Sequence, residues 1–156
     1  MIKSDIILLA NLGVANITNH SLDPAHAYKV VKFRKAVKSA IEELSKDEDA
    51  LRKDAGIEDA QAFDEELAKL RTIQNPDKAE KDRLAEMEAK LKRFVELRVA
   101  LLDEEVSLDC KAMPYAEWHK LQNENKDREL NGRKEDILSG YVEDILEGVL
   151  WETPAE

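Results

Sequence analysis

The sequence predicts a mainly α protein: a long antiparallel helical hairpin, coiled-coil-like, on a small helical base with at most a minor β element. Three observations lead there. Two stretches, Asp23–Asp54 and Pro76–Asp103, carry apolar residues at helical spacing over many turns. Charged residues make up 37% of the chain and aromatic ones 5%, a mixture that favours long helices over sandwiches or barrels. Finally, 43% of the 156 residues are hydrophobic and they recur periodically, so apolar burial can offset chain entropy and disorder is excluded. A chain this long is one domain, with residues 23–103 as a hairpin arm, its tip at 55–76, and residues 1–22 and 104–156 as the base.

Taken in order, Ser4–Ile17 holds Ile6, Ile7, Leu8, Leu9, Leu12, Val14 and Ile17. With Ser4 as N-cap and Asp5 in the first turn, it predicts a short helix buried nearly all round. Thr18–Leu22 is a polar turn. Asp23-Pro24 then signals a helix start, because Asp accepts from open backbone N–H groups and Pro has its φ already set. Phe33, Val37, Ala40, Ile41, Leu44 and Leu51 fall on one arc, and Gly56 ends the helix. At ~1.5 Å per residue it would run for on the order of 45 Å, which predicts a projecting arm.

Ala60–Arg71, with Phe63, Leu67 and Leu70, predicts a short helix in the tip. From Pro76 onward, Leu84, Leu91 and Arg98 form one heptad column, and Met87, Phe94 and Leu101 the other. Glu105–Ala112 alternates polar and apolar residues with period two, the pattern of a half-buried strand. Tyr115–Gln122 predicts a short helix, Asn123–Gly132 a polar loop, and Lys134–Trp151 a closing helix.

The formal net charge of −10 argues against nucleic acid and against an anionic membrane surface as partners. Cys110 is alone, which rules out an internal disulfide and fits a reducing compartment. No leader pattern or membrane-length apolar run is visible, and the two glycosylation-type triplets at Asn16 and Asn19 are read as coincidental.

No catalytic, cofactor or metal motif stands out, so the expectation is a non-enzyme without cofactor. His20 and His26 flank Asp23, yet their spacing matches no metal pattern, and cap and loop roles are expected. Cys110 shares the apolar phase of its segment and reads as a small core residue. Five cations with no acid among them, Lys29, Lys32, Arg34, Lys35 and Lys38, make a basic helix face; a solvated face or intramolecular pairing outweighs an acidic partner there. Trp118, Trp151 and Tyr141, with Lys29, Lys32 and Lys35, are the candidate interface residues, since Trp combines large apolar area with a polar tip. Burial in the core is the default for both tryptophans.

The apolar helix through Asn11-Leu12, the run Leu22-Asp23-Pro24-Ala25-His26-Ala27-Tyr28-Lys29 and the alternation Glu104-Glu105-Val106-Ser107-Leu108 together resemble, in layout, an uncharacterised phage and prophage family of small acidic helical proteins. The resemblance implies a phage-encoded protein working in the host cytoplasm, with no catalytic residues to carry over. Composition and periodicity point to a protein-interaction role: an adaptor, assembly chaperone or small structural component. Apolar stripe in excess of what one hairpin covers predicts a homodimer or larger. The alternative is an acidic regulator that occupies a basic groove on a nucleic-acid-binding protein; an enzyme built on scattered carboxylates and His119 is a third possibility.

Overall fold

The computed structural model describes residues 1–11, 17–126, 129–130, 133–134 and 140–154, and these make a mainly α protein. In chain order come α1 (Lys3–Asn11), α2 (Pro24–Asp54), α3 (Ala60–Thr72), α4 (Lys78–Leu102), α5 (Tyr115–Asn125), the two-residue strands β1 (Glu129–Leu130) and β2 (Arg133–Lys134), and α6 (Gly140–Leu146). β1 and β2 pair antiparallel, Glu129 opposite Lys134. Two compact units form, Met1–Glu43 with Glu105–Glu156, and Leu44–Glu104. The first unit thus takes in the N-terminal half of α2, which the sequence reading placed in the arm.

In the first unit, α1 starts at Lys3, two residues before the Asp5 start that a Ser4 cap implies. Ser4 is not its cap; Asp5 reaches back to accept from the Ile2 N–H at 3.0 Å, the reciprocal half of a capping box. Ile6 and Leu9 are buried while Ile7 and Leu8 are half-buried, so one side of the helix faces the core rather than all of it. Leu12 and Val14 lie outside the described residues. Val30, Phe33 and Val37 of α2 join Leu9, Ile17, Leu22, Met113, Trp118, Leu121, Leu146, Leu150 and Trp151 in one core. Val37 therefore belongs to this core, not to a seam with α4.

The expected strand Val106–Ala112 is not one. Val106, Leu108, Cys110 and Ala112 are half-buried and Ser107, Asp109 and Lys111 exposed, so the period-two burial is real. What is missing is a ladder. The segment's backbone N–H groups reach other segments at its two ends, Val106 N–H on Met1 O at 3.0 Å and Met113 N–H on Leu150 O at 2.9 Å, and side-chain ties at Cys110 and Ala112 hold it between them. Grooves flank it instead of strands, and without a neighbour to pair with, an extended segment gains no ladder hydrogen bonds.

α5 runs to Asn125, past the predicted Gln122. Its last turn is polar, but the polar atoms bind protein: Asn125 accepts from Thr18 N–H at 3.0 Å and donates to the carbonyls of Thr18 and Leu121. Glu124 accepts from the N–H groups of His20 and Ser21 and from the Ser21 hydroxyl. Nor does the last helix reach Trp151. α6 stops at Leu146, Gly148 takes φ +78°, and Trp151 bridges to Met113 and Glu147. Glycine reaches that positive φ without the steric cost other residues meet, which lets the chain turn back there. Ile137 and Leu138, and the side chain of Tyr141, lie outside the described residues.

In the second unit, the end of α2 closes as a Schellman motif. Ile57 N–H bonds Arg52 O at 2.8 Å, Gly56 N–H bonds Lys53 O at 2.9 Å, and Gly56 takes φ +88°. Asp59 caps α3, and α4 opens with a capping box between Asp77 and Glu80. Glu48 pairs with Arg98, Arg52 lies over the Phe94 ring, and Gly56 faces Lys90. Each step of four along α2 is a step of four back along α4, so these segments run antiparallel. Ala55, Ile57 and Phe94, with Leu51 and Phe63, make the small core between them and α3. Of the two heptad columns, Met87, Phe94 and Leu101 are buried, whereas Leu84, Leu91 and Arg98 are half-buried.

Candidate functional site

The predicted interface residues divide sharply. Trp118 and Trp151 are each only 3% exposed, and their rings stack at 3.8 Å between centroids, tilted by 14°. They are core, not anchors for a partner: α5 and the turn after α6 bring two large aromatic surfaces face to face, where burial is worth most. Lys29 is half-buried and donates to Ala112 O at 3.2 Å, an intramolecular tie. Arg34 is tied as well, to Ile17 O at 2.7 Å.

Lys32 and Lys35 remain exposed. They line a groove of about 380 Å³ between α2, which adds Ala36, Ser39 and Ala40, and the segment Val106–Asp109. Tyr28, 60% exposed, sits one turn before Lys32, whose ammonium is 5.7 Å from its ring centroid. Glu43 and Asp109 also line the groove, so its lining carries both signs of charge. Among the described residues, no hydrogen bond runs from the backbone N–H of Ser107, Leu108 or Asp109. Sequence reasoning missed this groove because its two sides come from segments about seventy residues apart along the chain.

A second constellation lies where α2 and α5 begin. Asp23 precedes α2, His26 is in its first turn, and Glu117 is in the first turn of α5. One ligand-type atom from each lies within 4.8 Å of the other two. Glu117 is 9% exposed, and its Oε1 accepts from Lys120 Nζ at 2.9 Å. That bond, with Asp23 adding to it, raises the Lys120 ammonium above its usual value. His20 does not join the group; its N–H is held by Glu124. Burial pushes the Glu124 carboxyl up, but the hydrogen bonds from Ser21 and His20 together outweigh it and hold it below the usual range. His119 is exposed, its ring edge-on to Tyr115 at 4.7 Å.

Cys110 is half-buried, its thiol directed at Val149 O at 3.6 Å. Burial, then Asp109, push its pKa up, which is the reverse of what activates a nucleophile. Among the described residues, no helix is long and apolar enough to cross a membrane. Compared with known proteins, the chain matches no family model, no curated protein and no solved structure.

Proposed function

We propose that this chain is a non-enzymatic protein-interaction module, in the phage setting that its layout resemblance implies, and that it takes an extended segment of a partner protein into the groove between α2 and Val106–Asp109. One observation carries the reading: the Val106–Asp109 backbone, whose Ser107, Leu108 and Asp109 N–H groups bond to nothing among the described residues, stands beside exposed Lys32 and Lys35 and small side chains of α2. Open backbone of this kind accepts an added strand, with main-chain hydrogen bonds giving affinity and side chains giving selection. Lys32 and Lys35 favour carboxylates on the incoming segment, while Glu43, two turns further along α2, disfavours acid at its own end. Pairing of two chains belongs to the same reading, supported by Val95 and Val99, exposed one turn apart on α4.

The test is a photo-crosslinking amino acid placed at Ser39 in the groove and, separately, at exposed Lys92 on α4, in cells that make the protein. A protein adduct from position 39 alone, lost in Lys32→Glu/Lys35→Glu and reduced by salt, supports the reading. Equal labelling from both positions, or an adduct indifferent to the lysines, contradicts it.

A further inference from the structure

The geometry points to a divalent-cation site formed by Asp23, His26 and Glu117, with Zn²⁺ as the ion. Donor chemistry is the first argument. One imidazole nitrogen and two carboxylate oxygens form an N/O set that suits zinc, and three protein ligands leave a position open for water or a fourth donor. Convergence is the second: two separate helix starts deliver these atoms to within 4.8 Å of one another. A tetrahedral ion about 2.1 Å from each donor holds them about 3.4 Å apart, a gap that side-chain rotation closes.

His26 Nδ1 and Glu117 Oε2 are buried and have no hydrogen-bond partner among the described residues. Leaving such atoms unsatisfied is costly, and native proteins rarely do so without a reason. Here two of them fall in one three-residue group. Lys120 holds Glu117 Oε1 and leaves Oε2 free, so it orients the carboxylate as an outer-shell partner does. Its charge opposes the cation, but two carboxylates against one ammonium leave the group net negative. A bound ion would staple the start of α2 to the start of α5 within the first unit, stabilising the fold by binding the native state alone.

Untagged full-length protein, stripped of metal, is titrated with zinc chloride against a chromophoric chelator. One equivalent is expected to bind per chain, with a rise in Tm. His26→Gln and Asp23→Asn are each expected to weaken binding by about tenfold or more and to shrink the Tm rise at a fixed zinc concentration. His20→Gln and His119→Gln are expected to change neither. Asp23 is exposed, so its Asn variant keeps the test decisive even where Glu117→Gln destabilises the fold. Absence of zinc binding by the parent chain, or binding that survives both His26→Gln and Asp23→Asn, overturns the assignment, as does an equal loss in His20→Gln.

Discussion

The first unit joins parts of the chain that are far apart in sequence, whereas the second is built from three consecutive helices that mostly signal their own ends. Phe33 from α2, Trp118 and Leu121 from α5, and Leu150 and Trp151 from the C-terminal turn share one buried core in the first unit, and the segment before α2 is tied to α5 through Asn125 and Glu124. The second unit has a smaller core around Phe94, with Schellman, N-cap and capping-box closures and solvent-reached ion pairs between and along its helices. The contrast predicts where each unit is vulnerable. Removing one large side chain or one buried polar partner should damage the first unit severely, while the second should lose stability in small, salt-sensitive increments.

The largest effect is expected at Trp151→Ala, which removes half of the stacked pair and leaves a cavity beside Trp118. A loss of about 3–5 kcal/mol is expected in chemical denaturation. A loss under about 1 kcal/mol would mean the site collapses freely and the first unit is not held by this pair. Asn125→Leu should come next, at about 1–3 kcal/mol, because it leaves Thr18 N–H and C=O without their partner. In the second unit, Gly56→Ala forces a side chain into φ +88°, with its Cβ 3.2 Å from Lys90 Cε. A cost of about 1–2 kcal/mol follows from the backbone alone, and hydrogen exchange should show it as faster opening at the end of α2.

The smallest effect is expected at Arg83→Gln. The Arg83 hydrogen bond holds the Glu66 carboxyl below its usual range, and both side chains are still reached by solvent, 41% and 45% exposed, so screening leaves little stability at stake. The sign is nevertheless defined. A depressed folded pKa means the contribution is present above the ordinary value of 4.5 and lost as pH falls through the folded one. Carboxyl NMR should show Glu66 titrating higher in Arg83→Gln; an unmoved Glu66 would mean the ion pair does not form in solution. Light scattering on Val95→Glu/Val99→Glu against the parent chain tests self-association, and identical monomer masses for both would remove it.

The same contrast explains what the sequence discloses. α2, α3 and α4 are announced by Asp23-Pro24, Gly56 and the apolar periods of Phe63–Leu67 and Met87–Leu101, all of them local signals. In the first unit the local pattern is real but underdetermines the partner. Alternation over Val106–Ala112 reports burial and is blind to whether another strand lies alongside. Glu124 and Asn125 are polar because they bond to Thr18–Ser21, which reads in sequence as a solvated loop. Trp118 and Trp151 are legible as large apolar anchors, but not as each other's partners. Asp23 and His26 stand together in the sequence; Glu117, which completes the group, does not.

The proposed partner strand along Val106–Asp109 is tested most directly by hydrogen exchange, with the protein measured alone and saturated with the partner recovered by crosslinking. Alone, the amides of Ser107, Leu108 and Asp109 should exchange fast while Val106 and Met113, bonded to Met1 and Leu150, exchange slowly. Saturated, protection should appear at Ser107–Asp109 and leave α4 unchanged. Amides already protected in the free protein, or new protection confined to α4, would contradict it.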